Sequence, residues 1–288
     1  MGRVAIVTDS ASDFDPARAA SLGITVVPLI VNFGQEAFSA GRDMSTDEFW
    51  TKLKMPGSPF PTTAACSPGD FQTTYQRLFD EGADAIVSIH VAGILSGTIK
   101  AAEIGRAMFK DKDIQIVDSM SASMGEGALA EIAVEMSNAG ASASEIAEVV
   151  TGRRDDIGIF LALDTLEYLK RGGRISGARA AIGTLLSVKP IIELKDGVVE
   201  TAERVRTRGK AREKLVELLT TRPMDRLSIL HTTEAEVEVF AEQLIAKVPG
   251  GIDRSKVTVD LVGPSVGPHL GPGCVGAVAL YTEASRPS

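Results

Sequence analysis

The residues with the clearest chemical promise sit in a run of glycine and proline. Gly263-Pro264-Ser265-Val266-Gly267-Pro268-His269-Leu270-Gly271-Pro272-Gly273 holds one of only 3 histidines in the chain. Proline removes a donor and fixes φ, and glycine weakens regular structure, so the run reads as a shaped loop. An imidazole fixed on such a loop suits binding or proton handling near neutral pH, whereas the plainer alternative is a turn whose histidine faces water. Other segments suit an anion. Pro61-Thr62-Thr63-Ala64-Ala65-Cys66-Ser67 offers hydroxyls and amides just ahead of a helix, although Ser67 reads equally well as a simple N-cap. Gly93-Ile94-Leu95-Ser96-Gly97-Thr98 follows a strand and opens a helix, the place where parallel sheets bind ligands. Leu169-Lys170-Arg171-Gly172-Gly173-Arg174-Ile175 crowds cations around two glycines; as a charge run it reads as solvated surface, but the glycines let backbone and guanidinium approach an anion.

The elements that must position these residues differ between the two halves. Val4–Thr8, Thr25–Asn32, Ala85–His90, Ile114–Asp118 and Gly158–Leu163 alternate with helical patterns, which predicts a parallel α/β sheet. Ser45 and Ser67 open helices, the first with a capping box and the second with Pro68 in its first turn. Phe71, Tyr75, Leu78 and Phe79 share one helical face, read as core. Later, Ser187–Leu194 and Val198–Val205 flank Asp196-Gly197, the signature of a hairpin. Helical patterns at Arg208–Thr221 and Glu234–Lys247 lie among strand patterns at Leu227–His231, Val257–Val262 and Val275–Tyr281. The expectation is a two-domain α/β chain: a parallel α/β domain over residues 1–162 and a smaller α+β domain with a mainly antiparallel sheet over 163–288, with the ligand site between them.

Composition narrows the function classes. With 44% hydrophobic and 24% charged residues and no long uncharged apolar stretch, the chain reads as soluble and globular rather than membrane-spanning. A net charge of −8 without a long basic run argues against nucleic acid as a partner. The 2 cysteines show no paired spacing, and the first strand stands where an export signal would need an apolar core, so a reducing cytoplasm is expected. His90, His231 and His269 are too scattered for a metal motif, and no metal or cofactor is expected. Gly271-x-Gly273-x-x-Gly276 lacks the helix that a dinucleotide fingerprint needs, Gly263-x-Ser265-x-Gly267 is followed by prolines where a nucleophile elbow needs a helix, and no GxxxxGK[ST] loop exists.

Taken in order, Val7-Thr8-Asp9-Ser10, Thr62-Thr63 with Ser67-Pro68-Gly69-Asp70-Phe71, Leu95-Ser96-Gly97-Thr98, Val117-Asp118-Ser119, Leu169–Ile175 and Gly267–Gly273 resemble the DegV family, the fatty-acid-binding subunits of bacterial fatty acid kinase. The resemblance spans nearly the whole chain. It implies a protein that is not itself an enzyme: a long-chain fatty acid lies in an apolar tunnel, and its carboxylate is presented to a separate ATP-dependent kinase subunit that makes an acyl phosphate for phospholipid synthesis. It further implies that Thr63 and Ser96 hold the carboxylate, with Thr62 and Gly97 beside them, and that His269 completes the head-group site. Arg206 resembles an arginine serving phosphotransfer or kinase docking, with Arg204 as the register alternative; Arg171 and Arg174 belong to the same partner or phosphate face. Passing membrane contact fits such a carrier. The chain departs from the common Thr-Ser-Gln-Pro-Ser pattern with Ala64, Ala65 and Cys66. The rival readings are a stand-alone small-molecule kinase or transferase, and a hydrolase built on Ser265 and His269.

Overall fold

The computed structural model describes residues 2–175, 188–233 and 236–285. It divides into two compact units, one of residues 1–155 with Gly263–Ser265 and the other of Asp156–Val262 with residues 266–288. The division falls slightly ahead of the expected one after residue 162.

In the first unit the order is β1 (Val4–Asp9), α1 (Pro16–Leu22), β2 (Ile24–Val27), β3 (Ile30–Phe33), β4 (Glu36–Ser39), α2 (Thr46–Lys54), β5 (Pro61–Ala64), α3 (Pro68–Asp80), β6 (Ala85–His90), α4 (Thr98–Arg106), β7 (Asp113–Asp118), α5 (Met124–Asn138) and α6 (Ala143–Gly152). Four strands form a parallel sheet in the order β2-β1-β6-β7. The order reverses between β1 and β6, so their carboxyl ends, Asp9 and His90, mark the crevice where open α/β sheets take ligands. Every residue of β6 is buried, as a central strand covered on both faces requires. The single strand expected over Thr25–Asn32 is two. Pro28 has no N–H to give a ladder, so β2 stops at Val27 and β3 starts a separate antiparallel sheet, β4-β3-β5. That second sheet, which carries Thr62 and Thr63 on β5, has no counterpart in the sequence pattern.

The second unit runs β8 (Ile157–Ala162), α7 (Glu167–Gly172), β9 (Lys189–Lys195), β10 (Val198–Val205), α8 (Arg208–Leu219), β11 (Met224–His231), α9 (Val237–Ile245), β12 (Val257–Leu261), α10 (Gly267–Leu270) and β13 (Val275–Tyr281). Its sheet has the order β10-β9-β8-β13-β11-β12, antiparallel except for the β11–β12 pair. The strand expected at Gly158–Leu163 therefore belongs here and not to the parallel set, because β8 pairs with β9 and β13. Asp196 (φ 50°) and Gly197 (φ 75°) both adopt positive φ, the geometry a two-residue hairpin turn demands. Ser187 and Glu234, the expected first residues of the hairpin and of the helix predicted over Glu234–Lys247, lie outside the described residues. Leu215 and Leu219 of α8 and Phe240 and Leu244 of α9 pack on Leu227, Ile229 and Ala277 to form the core. The glycine–proline run is not wholly a loop. Pro268 is tolerated in a first helical turn, and α10 forms one turn before Gly271 and Gly273 take positive φ. Among the described residues no helix is long and apolar enough to cross a membrane.

Candidate functional site

In the first unit, the loop after β6 is tied down from several directions. Ala92 N–H donates to Ser121 O (2.8 Å), and Gly93 N–H donates to Asp118 Oδ2 (3.1 Å), whose other oxygen takes Met120 N–H (2.8 Å). Leu95 and Ser96 amides turn back onto Ala92 O. Ser96 Oγ, half-buried, lies 2.8 Å from Thr98 Oγ1 and accepts from Thr98 N–H at 3.3 Å. Gly97, the N-cap of α4, supplies no side-chain cap; Ser96 Oγ takes the Thr98 amide, and the amides that follow have no capping side chain. The start of α3 differs: Ser67 and Asp70 close a full capping box there, the plain capping reading of Ser67.

The two candidate anion loops abut. A Cβ placed on Gly97 would stand 3.7 Å from Ala65 Cβ, and one on Gly105 would stand 2.7 Å from Phe71 Cβ, so α4 lies closely against α3. This brings the Ser96 loop beside the segment carrying Thr63, which is half-buried, and Thr62, which is exposed. Cys66 between them is buried, its Sγ 3.6 Å from Val27 O, and burial followed by the negative charge of Asp9 pushes its thiol pKa well up. A thiol so held is an inert packing group.

Beneath these loops lies a polar cluster that sequence reading missed. Asp9 Oδ1 accepts from Ala11 N–H (2.8 Å), and Oδ2 accepts from Val91 N–H (3.1 Å) and His90 Nδ1 (3.1 Å). With its Nδ1 proton on Asp9, His90 uses Nε2 to accept from Ser88 Oγ (2.7 Å), which in turn accepts from Tyr75 O–H (2.8 Å). Phe71 closes over His90 edge to face, with centroids 4.9 Å apart. Glu126, fully buried on α5, accepts from Thr8 Oγ1 (2.6 Å) and Asp9 N–H (3.3 Å) through Oε1, while Oε2 has no partner among the described residues. Burial first, and then the charge of Asp9, push its carboxyl pKa well above the usual range. One ligand atom from each of Asp9, His90 and Glu126 lies within 4.8 Å of the others. The imidazole nitrogens and the Asp9 oxygens are, however, already engaged with one another and with backbone. The chemistry of this set is that of a hydrogen-bonded core fixing two strand ends. Glu126 was signalled only by an acid inside the small-residue run Gly125–Ala128.

In the second unit, His269 on α10 is half-buried. Burial, and next the nearby Arg174 guanidinium, push its pKa down to about 4, so at neutral pH it is an uncharged donor and acceptor. Arg174 Nη1 donates to Gly172 O (2.5 Å), and Arg171 pairs with Glu167 (3.6 Å). The structure thus groups His269 with Arg174, while Arg171 meets Glu167 one turn earlier on α7. Arg206 is exposed just beyond β10 and makes no ion pair among the described residues; Arg204, on β10, is also exposed. Asp164 holds Lys189 (2.7 Å) and Arg208 (2.6 Å); burial alone would raise its pKa, but these two cations keep it below the ordinary value. Back in the first unit, Ser265, the nucleophile of the hydrolase reading, is buried with its Oγ 2.7 Å from Ser10 Oγ, a hydroxyl that also accepts from Leu29 N–H. A hydroxyl partner is no general base.

Comparison with known proteins covers nearly the whole chain. The model of the DegV family of uncharacterised proteins matches residues 3–282. A DegV domain-containing protein of Streptomyces coelicolor is 37% identical over 281 residues, 96% of this chain and 97% of that one. A DegV family protein from Thermus thermophilus, described with fatty acid binding, is 35% identical with a TM-score of 0.87, covering 97% of this chain and 100% of its own. DegV of Bacillus subtilis, described as a fatty acid binding protein, is 29% identical with a TM-score of 0.85, covering 98% and 100%.

Proposed function

The chain belongs to the DegV family, and we propose that it binds one long-chain fatty acid and presents the carboxylate to a separate ATP-dependent kinase subunit. The observation that carries this reading is the likeness, along nearly the full chain, to solved proteins described as binding fatty acids. The start of α4 beside Ser96 and Thr63 supports it: Ser96 Oγ takes only the Thr98 amide, and a carboxylate suits the amides left without a capping side chain.

Each buried methylene of a fatty acid contributes about 0.8 kcal/mol, so the tail dominates affinity and the head group needs few donors. We assign Thr63 and Ser96 as those donors, with Thr62 and the Gly97 backbone beside them, and His269 as a further head-group residue. The kinase would move the γ-phosphoryl group of ATP onto a carboxylate oxygen, leaving ADP and an acyl phosphate. Negative charge accumulates in that step, and Arg206 with Arg171 and Arg174 is assigned to meet it. An uncharged His269 donates a hydrogen bond to the same oxygens without holding the ground-state carboxylate too firmly. The chain is read as a carrier in the cytoplasm that touches membrane only while exchanging lipid, and no nucleotide loop gives it a phosphotransfer activity of its own.

Mixing the lipid-loaded protein with ATP and a fatty acid kinase ATPase subunit tests the reading. Acyl phosphate should form only when both proteins are present. Acyl phosphate made by this chain alone, or none made with any such subunit despite bound lipid, would remove the substrate-presenting role.

A further inference from the structure

We propose that Gly172 is a positioning residue for His269, leaving the space in which the imidazole sits. The proposal rests, for its functional consequence only, on the assignment of His269 to the head-group site. A Cβ placed on Gly172 would lie 2.3 Å from His269 Nδ1, closer than Cβ atoms come to other heavy atoms, and 3.0 Å from Cε1. The interlock is reciprocal: a Cβ on Gly271 would fall 2.2 Å from Tyr168 Cδ2. Each ring, His269 next to α7 and Tyr168 next to the end of α10, therefore lies directly on a glycine of the opposite segment.

The adjacent glycine separates space from backbone conformation. Gly173 caps α7 with φ 69° and has open space where a Cβ would go, so its glycine serves the left-handed turn. Gly172 lies within α7 and takes no positive φ. Alanine would favour the helix there, so the helix gives no reason for glycine and the imidazole gives one. Arg174, hydrogen-bonded to Gly172 O, closes the same corner. The two glycines of Arg171-Gly172-Gly173-Arg174, read from the sequence as flexibility for an approaching anion, instead seat a ring and end a helix.

The test combines a double-mutant cycle with a titration in the full chain. Gly172→Ala should lower the urea midpoint in the wild-type background but leave it unchanged or raise it in a His269→Ala background, where the ring no longer occupies the space. In Gly172→Ala, the His269 NMR titration, resolved among 3 histidines, should rise from about 4 by at least a pH unit. Gly173→Ala, a strained cap without the clash, should leave that titration in place. Equal destabilisation by Gly172→Ala in both backgrounds, or an unmoved titration in a folded Gly172→Ala protein, would overturn the proposal. Kinase-coupled turnover of His269→Ala is read separately: wild-type turnover there removes the head-group assignment of His269 and leaves the packing result as measured.

Discussion

Replacing Glu126 with glutamine probes the buried polar cluster through a signed pH effect. Glutamine keeps an oxygen at Oε1 for the Thr8 hydroxyl (2.6 Å) and Asp9 N–H (3.3 Å). Its NH2 falls at Oε2, where no described partner waits, an offset of about 1–3 kcal/mol for unpaired donors that does not depend on pH. The wild-type carboxyl behaves differently. Burial first, and then the charge of Asp9, make it keep its proton to higher pH in the fold than in the unfolded chain, which titrates near the ordinary value of 4.5. Above the unfolded value folding must then draw a proton towards the buried carboxyl, which costs stability. Because the folded pKa is raised, the sign is opposite to that of a salt-bridged carboxylate: the native state binds more protons, so wild-type stability falls as pH rises above 4.5. Glu126→Gln removes that loss. Urea unfolding of both proteins at rising pH above the unfolded value should show the variant gaining on the wild type, by at most the one-proton slope of about 1.4 kcal/mol per pH unit, with other titrating groups cancelling in the difference. Parallel stability curves would mean that Glu126 is ionised in the fold and would refute the reasoning.

At the head group, Thr63→Ala and Ser96→Ala should each weaken long-chain fatty acid binding by about tenfold to a hundredfold, the value of a hydrogen bond to a charged group, in direct titration. His269→Ala and Arg206→Ala should keep most lipid affinity yet lose kinase-coupled acyl phosphate formation, and Arg206→Lys should restore little because an ammonium lacks the guanidinium fork. His269 also predicts an acid response: its folded pKa of about 4 lies below the ordinary 6.5, so the unfolded chain alone takes up a proton between those values. Stability should fall through that window on acidification by up to about 3 kcal/mol, and His269→Gln should flatten that part of the curve in urea unfolding.

What the sequence made legible was mostly local. The strands Ala85–His90 and Val275–Tyr281, the capping box at Ser45 and the helix start at Ser67-Pro68 stand where the sequence pattern predicts them. The order strand, Ser96-Gly97, helix could be read because the apolar strand run ends at His90 and glycines interrupt the chain before α4. Non-local choices were hidden. Nothing near Ile157–Ala162 says that its partner is β13, far along the chain, so it was grouped with the parallel strands. Pro28 did carry the information that β2 ends early, but a β-rich run on either side masked it. Gly172 shows the limit most clearly: a glycine needed for flexibility and one needed for space look alike until the ring that fills the space is placed.

The central claim is that this chain carries a fatty acid, and native mass spectrometry of the full-length protein, purified without added lipid, tests it most directly. The predicted spectrum shows the chain with one bound small molecule that is released on denaturation and identified as a long-chain fatty acid. A bare chain that also fails to take up added long-chain fatty acids would contradict the account.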